Sequence, residues 1–339
     1  MIDLARGNLL EADVEALVNT VNCVGVMGKG IALQFKHAFP DNFRHYERAC
    51  RAHEIRLGHL FIVPTDRLNN PKYIINFPTK NHWRGKSRIE DIESGLAALV
   101  QDVERLDIRS IAIPALGCSN GGLEWADVAP LIMAAFDGMP TVKAQLYEPF
   151  GTPKAASMPV ATAKPSLTRS RALLIKLFEL YRMPGYSLTL LEIQKLAYFL
   201  QASGEPLRLH YVKHKYGPYA ENLNHVLQRL EGHYLRGYGD RSGRTDIHLL
   251  PTAADEAQTL LDDDCEALRR LNRIGCLIEG FETPAGMELL ATVHWVMVHN
   301  QEAAADLSVA VNSVQRWSQR KQNLFRPQQI GNAYMTNSG

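Results

Sequence analysis

The sequence lacks several features that mark particular classes of protein. Its five cysteines include no CxxC pair and no group with metal-ligand spacing, so neither disulfides nor a metal site is expected. The N-terminus has no signal-peptide pattern, and no apolar run approaches the roughly 18 residues that a membrane span needs. These absences predict a cytoplasmic protein with reduced thiols and no membrane contact.

An excess of charge of one sign is also missing. The 339 residues carry 37 Lys+Arg and 36 Asp+Glu, a formal net charge of +1. Residues 1–150 hold 16 bases and 18 acids, a net charge of −2. This balance argues against a protein that binds duplex nucleic acid chiefly through bulk charge. Hydrophobic residues make up 46% and charged residues 22%, so the chain has a globular composition and the length for two cores.

The first 150 residues alternate short apolar runs with helical patterns. This alternation predicts an α/β sandwich, a sheet covered by helices on both faces, whose ligands bind beyond the C-terminal ends of the strands. Asp41 follows Pro40 and is predicted to cap the second helix. The predicted strands are residues 2–5, 16–20, 60–64, 73–77, 109–114 and 142–147, and the predicted helices are 30–37, 41–53, 89–106 and 124–136.

A glycine-rich loop follows the second predicted strand. Gly25, Gly28 and Gly30 lie just before a helix, where backbone N–H groups can approach a bound oxyanion and the helix dipole favours its charge. The loop is not a Walker loop, because Gly30 follows Lys29 where Ser or Thr is required. It is not the dinucleotide fingerprint, because Leu33 replaces the third glycine. A simple tight turn is the alternative interpretation.

A second glycine-bearing loop follows the apolar strand at residues 109–114. Residues 115–122 contain three glycines and lead into a helix from about Glu124. Two such loops facing each other could hold a diphosphate from both sides, which a single loop could not do. The pair therefore favours a nucleotide-diphosphate site.

A third strand end carries side chains that can do chemistry. Lys80, His82 and Trp83 lie just beyond the strand that begins at residue 73. A lysine nucleophile must be partly neutral, which requires burial or nearby positive charge, and Arg84 and Lys86 are candidates for that charge. His82 is a candidate for proton transfer, a role that histidine commonly has in catalysis. The alternative is a solvated basic loop with one aromatic anchor.

Three blocks together, residues 18–32, 76–83 and 114–118, resemble the macrodomain superfamily, whose three-layer α/β/α fold with a central mixed sheet binds ADP-ribose. The most similar branch is the DarG antitoxin family. Its members are described as removing ADP-ribose from thymidine bases of single-stranded DNA, where the DarT toxin, a DNA ADP-ribosyltransferase, attached it. The resemblance covers residues 1 to about 150. We expect no cofactor, and no metal because His210, His214 and His225 have no carboxylate or thiol at metal-ligand spacing.

The resemblance also implies roles for individual residues. Lys80 matches the catalytic lysine, proposed to attack the anomeric carbon or its ring-opened aldehyde form. Asn22 would orient the distal ribose, and His82 is a candidate acid or base. The residues implied to contact ADP-ribose are Asn8, Leu9, Asn19, Cys23, Gly25, Val26, Met27, Gly28, Lys29, Gly30, Ile31, Thr79, Trp83, Pro114, Leu116, Gly117, Cys118, Ser119, Asn120, Gly121, Gly122 and Tyr147.

The sequence departs from the family pattern at two places. Macrodomains usually have a Gly-Asp pair for the adenine amine, and here Asn8 follows Gly7. An amide oxygen can accept that hydrogen bond, but without the charge. Related lysine-dependent hydrolases have an Asp after the second loop, and residues 119–124 offer no obvious equivalent. The acid or base is therefore open between His82 and Glu124.

The remainder of the chain is predicted to be a linker at residues 151–168 and a mainly helical domain at 169–339. Residues 193–200 and 216–221 resemble an antitoxin domain that recurs with unrelated toxins, which implies a toxin-neutralising domain. The predicted helices are residues 172–181, 190–201, 219–230, 254–272, 284–299 and 309–320, with a possible strand at 246–250.

Residues 253–268 contain six acids and no base. This run could dock on the basic surface of a DNA-binding toxin, although a solvated helix face is the ordinary explanation. The leading hypothesis is an antitoxin that hydrolyses ADP-ribosylated DNA and binds its toxin. The alternatives are a hydrolase of ADP-ribosyl-glutamate on proteins, and a non-catalytic ADP-ribose-binding module fused to an interaction domain.

Overall fold

The structure, a computed structural model, describes residues 1–149, 157–181, 186–241 and 245–338. These residues divide into two compact units. The first unit comprises the described residues up to 163 together with residues 239–241, and the second comprises the others. None of the helices in the described ranges has the length and apolar character that crossing a membrane requires.

The first unit is built from six strands and four α-helices. The strands are β1 (Ile2–Ala5), β2 (Ala16–Asn22), β3 (Phe61–Pro64), β4 (Tyr73–Lys80), β5 (Ser110–Pro114) and β6 (Lys143–Tyr147), and the helices are α1 (Gly30–Ala38), α2 (Pro40–Arg51), α3 (Ile89–Arg105) and α4 (Trp125–Asp137). The strand order is β1-β6-β5-β2-β4-β3, parallel except for β3, which runs antiparallel to β4.

Successive strand residues face two separate helical layers. On β2, Ala16 and Val18 belong to the cluster that contains the buried faces of α3 and α4, whereas Leu17 packs with Phe35 of α1 on the opposite face. Strand side chains alternate between faces, so an uninterrupted apolar run is buried from both sides. The predicted three-layer α/β/α fold with a mixed central sheet is therefore confirmed.

Helix α3 lies directly against the sheet at one glycine. A Cβ added to Gly95 would be 2.2 Å from Cζ of Phe77, whose ring is fully buried. Only a residue without a side chain allows this separation between helix and strand.

The parallel strands bring the predicted site residues to one edge of the sheet. Asn22 ends β2 and is in register with Lys80, which ends β4. Pro114, at the end of β5, is in register with Tyr147 at the end of β6. Four neighbouring strands thus end at the edge from which both glycine loops leave.

The second unit is mainly helical, with short antiparallel strand pairs. Its elements are α5 (Arg169–Tyr181), α6 (Leu190–Ala202), β7 (Tyr211–His214), β8 (Gly217–Ala220), α7 (Leu223–Leu230), β9 (Leu235–Arg236), β10 (His248–Leu249), α8 (Ala253–Leu261), α9 (Cys265–Ile278), α10 (Pro284–His299), α11 (Gln301–Ala305), α12 (Leu307–Gln315), α13 (Gln319–Leu324) and α14 (Pro327–Ser338). One hydrophobic core joins α5, α6 and α10 with the surrounding helices.

Three predicted helices and one predicted cap are wrong in detail. The helix predicted at 219–230 begins only at Leu223, because Tyr219 belongs to the β7–β8 hairpin. The helix predicted at 254–272 is divided between α8 and α9, where Asp264 caps α9 by accepting the Ala267 N–H. The helix predicted at 309–320 is divided by Ser318, which caps α13. Helix α2 begins at Pro40, so Asp41 lies inside its first turn.

The predicted linker falls partly outside the described residues. Residues 150–156 are among those that the structure does not describe, and residues 157–168 contain no strand or α-helix. The linker boundaries at 151 and 168 stay predictions.

Candidate active site

Lys80 lies between the two glycine loops. Its Nζ donates a hydrogen bond of 2.7 Å to the backbone oxygen of Asn120 in the second loop, while its backbone is in register with Asn22 at the start of the first. Burial lowers the pKa of the Lys80 amine. The expected contribution of Arg84 and Lys86 is not needed, because burial alone disfavours the charged ammonium. The result is an amine with an increased neutral fraction.

Asn22 shapes the first loop with its own side chain. Its Nδ2 donates to the Val26 oxygen at 2.6 Å, and its Oδ1 accepts the N–H groups of Val24 and Val26 at 3.0 and 3.3 Å. The buried Tyr46 hydroxyl donates to the Asn22 backbone oxygen. These bonds fix the turn that carries Gly25, where φ is +79° and a glycine is favoured.

The two glycine loops approach each other closely. A Cβ added to Gly30 would be 2.8 Å from Nδ2 of Asn120, and Gly30 has a φ of +62°. The predicted facing arrangement of the loops is therefore present. The N–H of Gly30, however, donates to the backbone oxygen of Asp240 at 2.8 Å. This N–H, one of those expected to meet an oxyanion, already has an acceptor within the first unit.

The β4–α3 loop is tied to both glycine loops through the backbone. Cys23 N–H donates to the Asn81 oxygen at 3.1 Å, and Ser87 N–H donates to the Gly121 oxygen at 2.9 Å. His82 is exposed, and its Nδ1 accepts the N–H of Arg84 at 3.3 Å. The three predicted blocks thus form one connected set of loops.

The predicted contacts in these loops divide by accessibility. The side chains of Asn19, Met27, Thr79 and Leu116 are buried, and Asn19 donates to Asn76 at 3.0 Å. These buried side chains can support the loops. The partly or fully exposed members are Cys23, Gly25, Val26, Gly28, Lys29, Ile31, Trp83, Ser119, Asn120 and Gly122, and the remaining buried members are Gly30, Pro114, Gly117, Cys118 and Gly121.

Neither loop thiol is prepared to be a nucleophile. Burial raises the pKa of Cys23 to about 11, and burial together with the charges of Glu124 and Asp127 raises that of Cys118 to about 11. The thiolate is the reactive form of cysteine, so both are largely unreactive at neutral pH. Among these three groups, only Lys80 has a pKa shifted toward its nucleophilic form.

Asn8, predicted to accept the adenine amine, precedes Leu9, which lies in the same hydrophobic cluster as Tyr147 of β6. Asn8 caps a 3₁₀ turn at Leu9–Glu11, where its Oδ1 accepts the Leu10 N–H at 3.1 Å and its Nδ2 donates to Glu11 at 2.9 Å. Leu9 is buried, and the half-buried Tyr147 packs against the same cluster. The Asn8 oxygen has a second lone pair with which it could accept an amine.

Sequence reasoning missed three residues that support the site. Tyr46 holds Asn22, the buried Ser87 lies against Gly121, and Asp240 accepts from both Gly30 N–H and Gln34 Nε2, the latter at 2.7 Å. All three act across long sequence separations, so no local pattern indicates them. Within the described ranges no group of three or more His, Cys, Asp or Glu could hold a metal ion.

The fold and the three converging loops define a macrodomain, and the Macro domain family matches residues 18–132. The chain is 51% identical over 321 residues to the DNA ADP-ribosyl glycohydrolase of Thermus aquaticus. The alignment covers 95% of this chain and 89% of that relative. It is 40% identical over 347 residues to the DNA ADP-ribosyl glycohydrolase of Mycobacterium tuberculosis, covering 98% of this chain and 97% of the relative. The chain therefore belongs to the DNA ADP-ribosyl glycohydrolase family.

Solved structures of related macrodomains are also similar. The macrodomain of Mycobacterium tuberculosis DarG has 53% sequence identity and a TM-score of 0.44, and the match covers 44% of this chain and 98% of that one. The macrodomain of Thermus aquaticus DarG has 53% identity and a TM-score of 0.43, covering 44% and 99%.

Proposed function

We propose that the first unit removes ADP-ribose from thymidine bases of single-stranded DNA, with Lys80 as the nucleophile. One observation carries this proposal. The Lys80 amine, whose pKa is lowered by burial, lies between two glycine loops that face each other at the C-terminal edge of the sheet. The names of the full-length relatives support DNA as the substrate class over ADP-ribosylated glutamate.

The proposed reaction has two steps. The neutral Lys80 amine attacks the anomeric carbon of the distal ribose and gives up one proton, while the bond from that carbon to the base breaks. The base nitrogen takes the bonding electrons and a proton, and it leaves as unmodified DNA. Water then adds to the same carbon, the carbon–nitrogen bond to Lys80 breaks, and ADP-ribose is released with the lysine regenerated.

The proton for the leaving base comes from His82 or Glu124 in this proposal. Both side chains are exposed. His82 lies in the β4–α3 loop that follows Lys80, and Glu124 follows the second glycine loop, whose Asn120 oxygen accepts from Lys80 Nζ. His82→Gln and Glu124→Gln variants separate them, because only the variant that loses the proton donor slows release without weakening ADP-ribose binding.

The test offers the full chain an ADP-ribosylated thymidine oligonucleotide and a protein ADP-ribosylated on glutamate. Release of ADP-ribose from the oligonucleotide alone supports the proposal, and release from protein alone supports the alternative hydrolase. Tight binding of ADP-ribose without release from either substrate would mean a non-catalytic reader.

We also propose that the second unit binds a DNA ADP-ribosyltransferase toxin. A Thermosipho africanus relative, 35% identical over 163 residues, is named as a fusion of DNA ADP-ribosyl transferase and DNA ADP-ribosyl glycohydrolase, so the two activities occur together. The candidate surface is the acidic segment at residues 253–268, since a toxin that binds DNA must present a basic surface.

Only half of this segment's acids are available for such a surface. Asp264 pairs with Arg169 at 2.5 Å, Glu256 with Lys164 at 2.8 Å, and Glu266 with Arg270 at 2.6 Å. The exposed acids that make no ion pair within the described residues are Asp255, Asp262 and Asp263.

The matching experiment reverses two of these exposed charges. Asp262→Lys/Asp263→Lys is expected to weaken binding of the separately purified toxin by about tenfold or more. Asp264 is left intact because it caps α9 and pairs with Arg169, so its reversal would damage the unit itself. Unchanged toxin affinity of the double variant would eliminate the acidic segment as the docking surface.

A further inference from the structure

The β4–α3 loop carries an exposed basic and aromatic surface beside Lys80. Trp83 is 45% exposed, although tryptophan is among the side chains that gain most from burial. The guanidinium of Arg84 lies 4.5 Å from the centre of its ring. Residues 80–89 contain Lys80, Arg84, Lys86 and Arg88 and no acid. We call the exposed residues from His82 to Arg88 the platform.

The platform is held in place, so it does not owe its exposure to a loose loop. Its two ends are joined to the glycine loops by the Cys23 N–H to Asn81 oxygen bond and the Ser87 N–H to Gly121 oxygen bond. Gly85 N–H donates to the His82 oxygen at 2.9 Å and closes a turn next to Trp83. A rigid, exposed indole loses little entropy when a partner covers it.

The chemistry proposed for Lys80 determines what must approach this surface. The anomeric carbon that Lys80 attacks is bonded to ADP-ribose on one side and to a base of the DNA strand on the other. The glycine loops supply a cradle for the ADP-ribose side. The strand must therefore leave the reaction centre across a neighbouring surface, and the platform begins two residues after Lys80.

We propose that the platform is the docking surface for the single-stranded DNA of the substrate. Trp83 stacks on a base of the strand, and Arg84 and Lys86 contact its phosphates. Aromatic stacking combined with basic side chains is how proteins hold single strands without reading their sequence. This inference rests on the proposed function, and it assigns Trp83 to the DNA, whereas the resemblance to macrodomains implies a contact with ADP-ribose.

The first experiment separates the two assignments of Trp83. Binding is measured in a Lys80→Ala background, where the substrate stays intact, with an ADP-ribosylated oligonucleotide and with free ADP-ribose. Trp83→Ala is expected to weaken oligonucleotide binding by about tenfold and to leave the affinity for ADP-ribose unchanged. Trp83→Phe retains an aromatic ring and should restore most of the loss. Equal weakening of both ligands would overturn the proposal, because it would place Trp83 in the ADP-ribose pocket.

The second experiment tests the phosphate contacts through salt. Arg84→Ala/Lys86→Ala is expected to reduce the slope of log affinity against log salt concentration by about 1.4, the value for two lost contacts to a single strand. The matched control is Arg109→Ala/Lys143→Ala, which removes the same two charges where β5 and β6 begin, at the opposite edge of the sheet. An identical slope for both double variants would contradict the proposal.

The outcomes separate a failure of this inference from a failure of the proposed function on which it rests. If the unmodified chain releases no ADP-ribose from the oligonucleotide, the proposed function fails. If it releases ADP-ribose and both platform variants bind like the parent, the function stands and the platform is not the DNA surface.

Discussion

Lys80 lies at the end of a strand, where partial burial lowers the pKa of its amine. The side chain belongs to the last residue of a buried strand and is itself partly buried, while Nζ donates to the Asn120 oxygen. Withdrawal from water disfavours the ammonium, and the single carbonyl partner compensates only part of that loss. In the mechanism proposed above, this partial burial increases the fraction of Lys80 that is present as the neutral, nucleophilic amine.

The pH dependence of turnover follows from this lowered pKa. Because the neutral amine is the attacking form, kcat/KM for the oligonucleotide should rise with pH and level off below the ordinary pKa of lysine. Lys80→Arg stays protonated throughout this range and should show no turnover. A rate that is independent of pH from 6 to 9 would contradict a titrating amine.

Lys80 could be selected as a candidate from the sequence, but the cause of its lowered pKa could not. Its position after an apolar strand identified it as a candidate, and the nearby Arg84 and Lys86 suggested electrostatic activation. In the structure burial lowers the pKa. The acceptor of the Lys80 amine, the Asn120 oxygen, lies 40 residues away and leaves no local pattern.

At the level of elements, the separation between α3 and the sheet depends on Gly95. Gly95→Ala should destabilise the first unit by about 1–3 kcal/mol, because the added Cβ meets the buried Phe77 ring. Gly138→Ala is the matched control, since Gly138 has no atom within 4 Å of the added Cβ and should change stability by less than about 0.5 kcal/mol. Urea denaturation of both variants measures the difference, and equal midpoints would show that α3 does not pack as described.

In the second unit, α10 and α13 are joined by a buried carboxylate. Glu288 accepts hydrogen bonds from Lys321 at 2.6 Å and from Arg320 at 2.5 Å, and Glu288 and Lys321 are almost completely buried. Glu288→Gln should cost about 3–5 kcal/mol, because Lys321 then loses its counter-charge. Glu288→Gln/Lys321→Met should recover part of that loss.

The control for this prediction is Glu256→Gln, which breaks the accessible pair with Lys164. It should cost less than about 1 kcal/mol, since solvent already screens the pair. If Glu288→Gln costs no more than Glu256→Gln, the buried network contributes little to the stability of the unit.

The boundaries of helices and strands could be predicted where the hydrophobic pattern is regular. They could not be predicted where polar residues extend a strand or divide a helix. Strands β2 and β4 reach Asn22 and Lys80, beyond the predicted ends at residues 20 and 77, because ladder pairing continues through polar residues. Asp264 and Ser318 begin new helices inside runs that look continuously helical, since their side chains cap backbone N–H groups more favourably than a longer helix would.

At the scale of the whole molecule, the division into two compact units predicts that release of ADP-ribose and toxin binding can be lost separately. Lys80→Ala should abolish release of ADP-ribose and leave toxin binding unchanged. Asp262→Lys/Asp263→Lys should weaken toxin binding and leave the release of ADP-ribose unchanged. Each activity is assayed on both full-length variants. Loss of both activities in either variant would mean that the two are coupled and that the division of labour proposed for the units is wrong.

The sequence predicts a domain boundary from the proline-containing segment after residue 150 and from the helical pattern that follows it, and the exact bounds stay a prediction. The assignment of residues 239–241 to the first unit could not be predicted. Asp240 lies more than 200 residues from Gly30 and Gln34, and its contacts depend on the folded chain alone.

The measurement that tests the central claim most directly is single-turnover release of ADP-ribose from an ADP-ribosylated thymidine oligonucleotide by the parent chain and by Lys80→Ala. The rate should fall by about two orders of magnitude or more when the nucleophile is removed, while calorimetry shows that the variant still binds ADP-ribose. An undiminished rate in the variant would contradict Lys80 as the nucleophile.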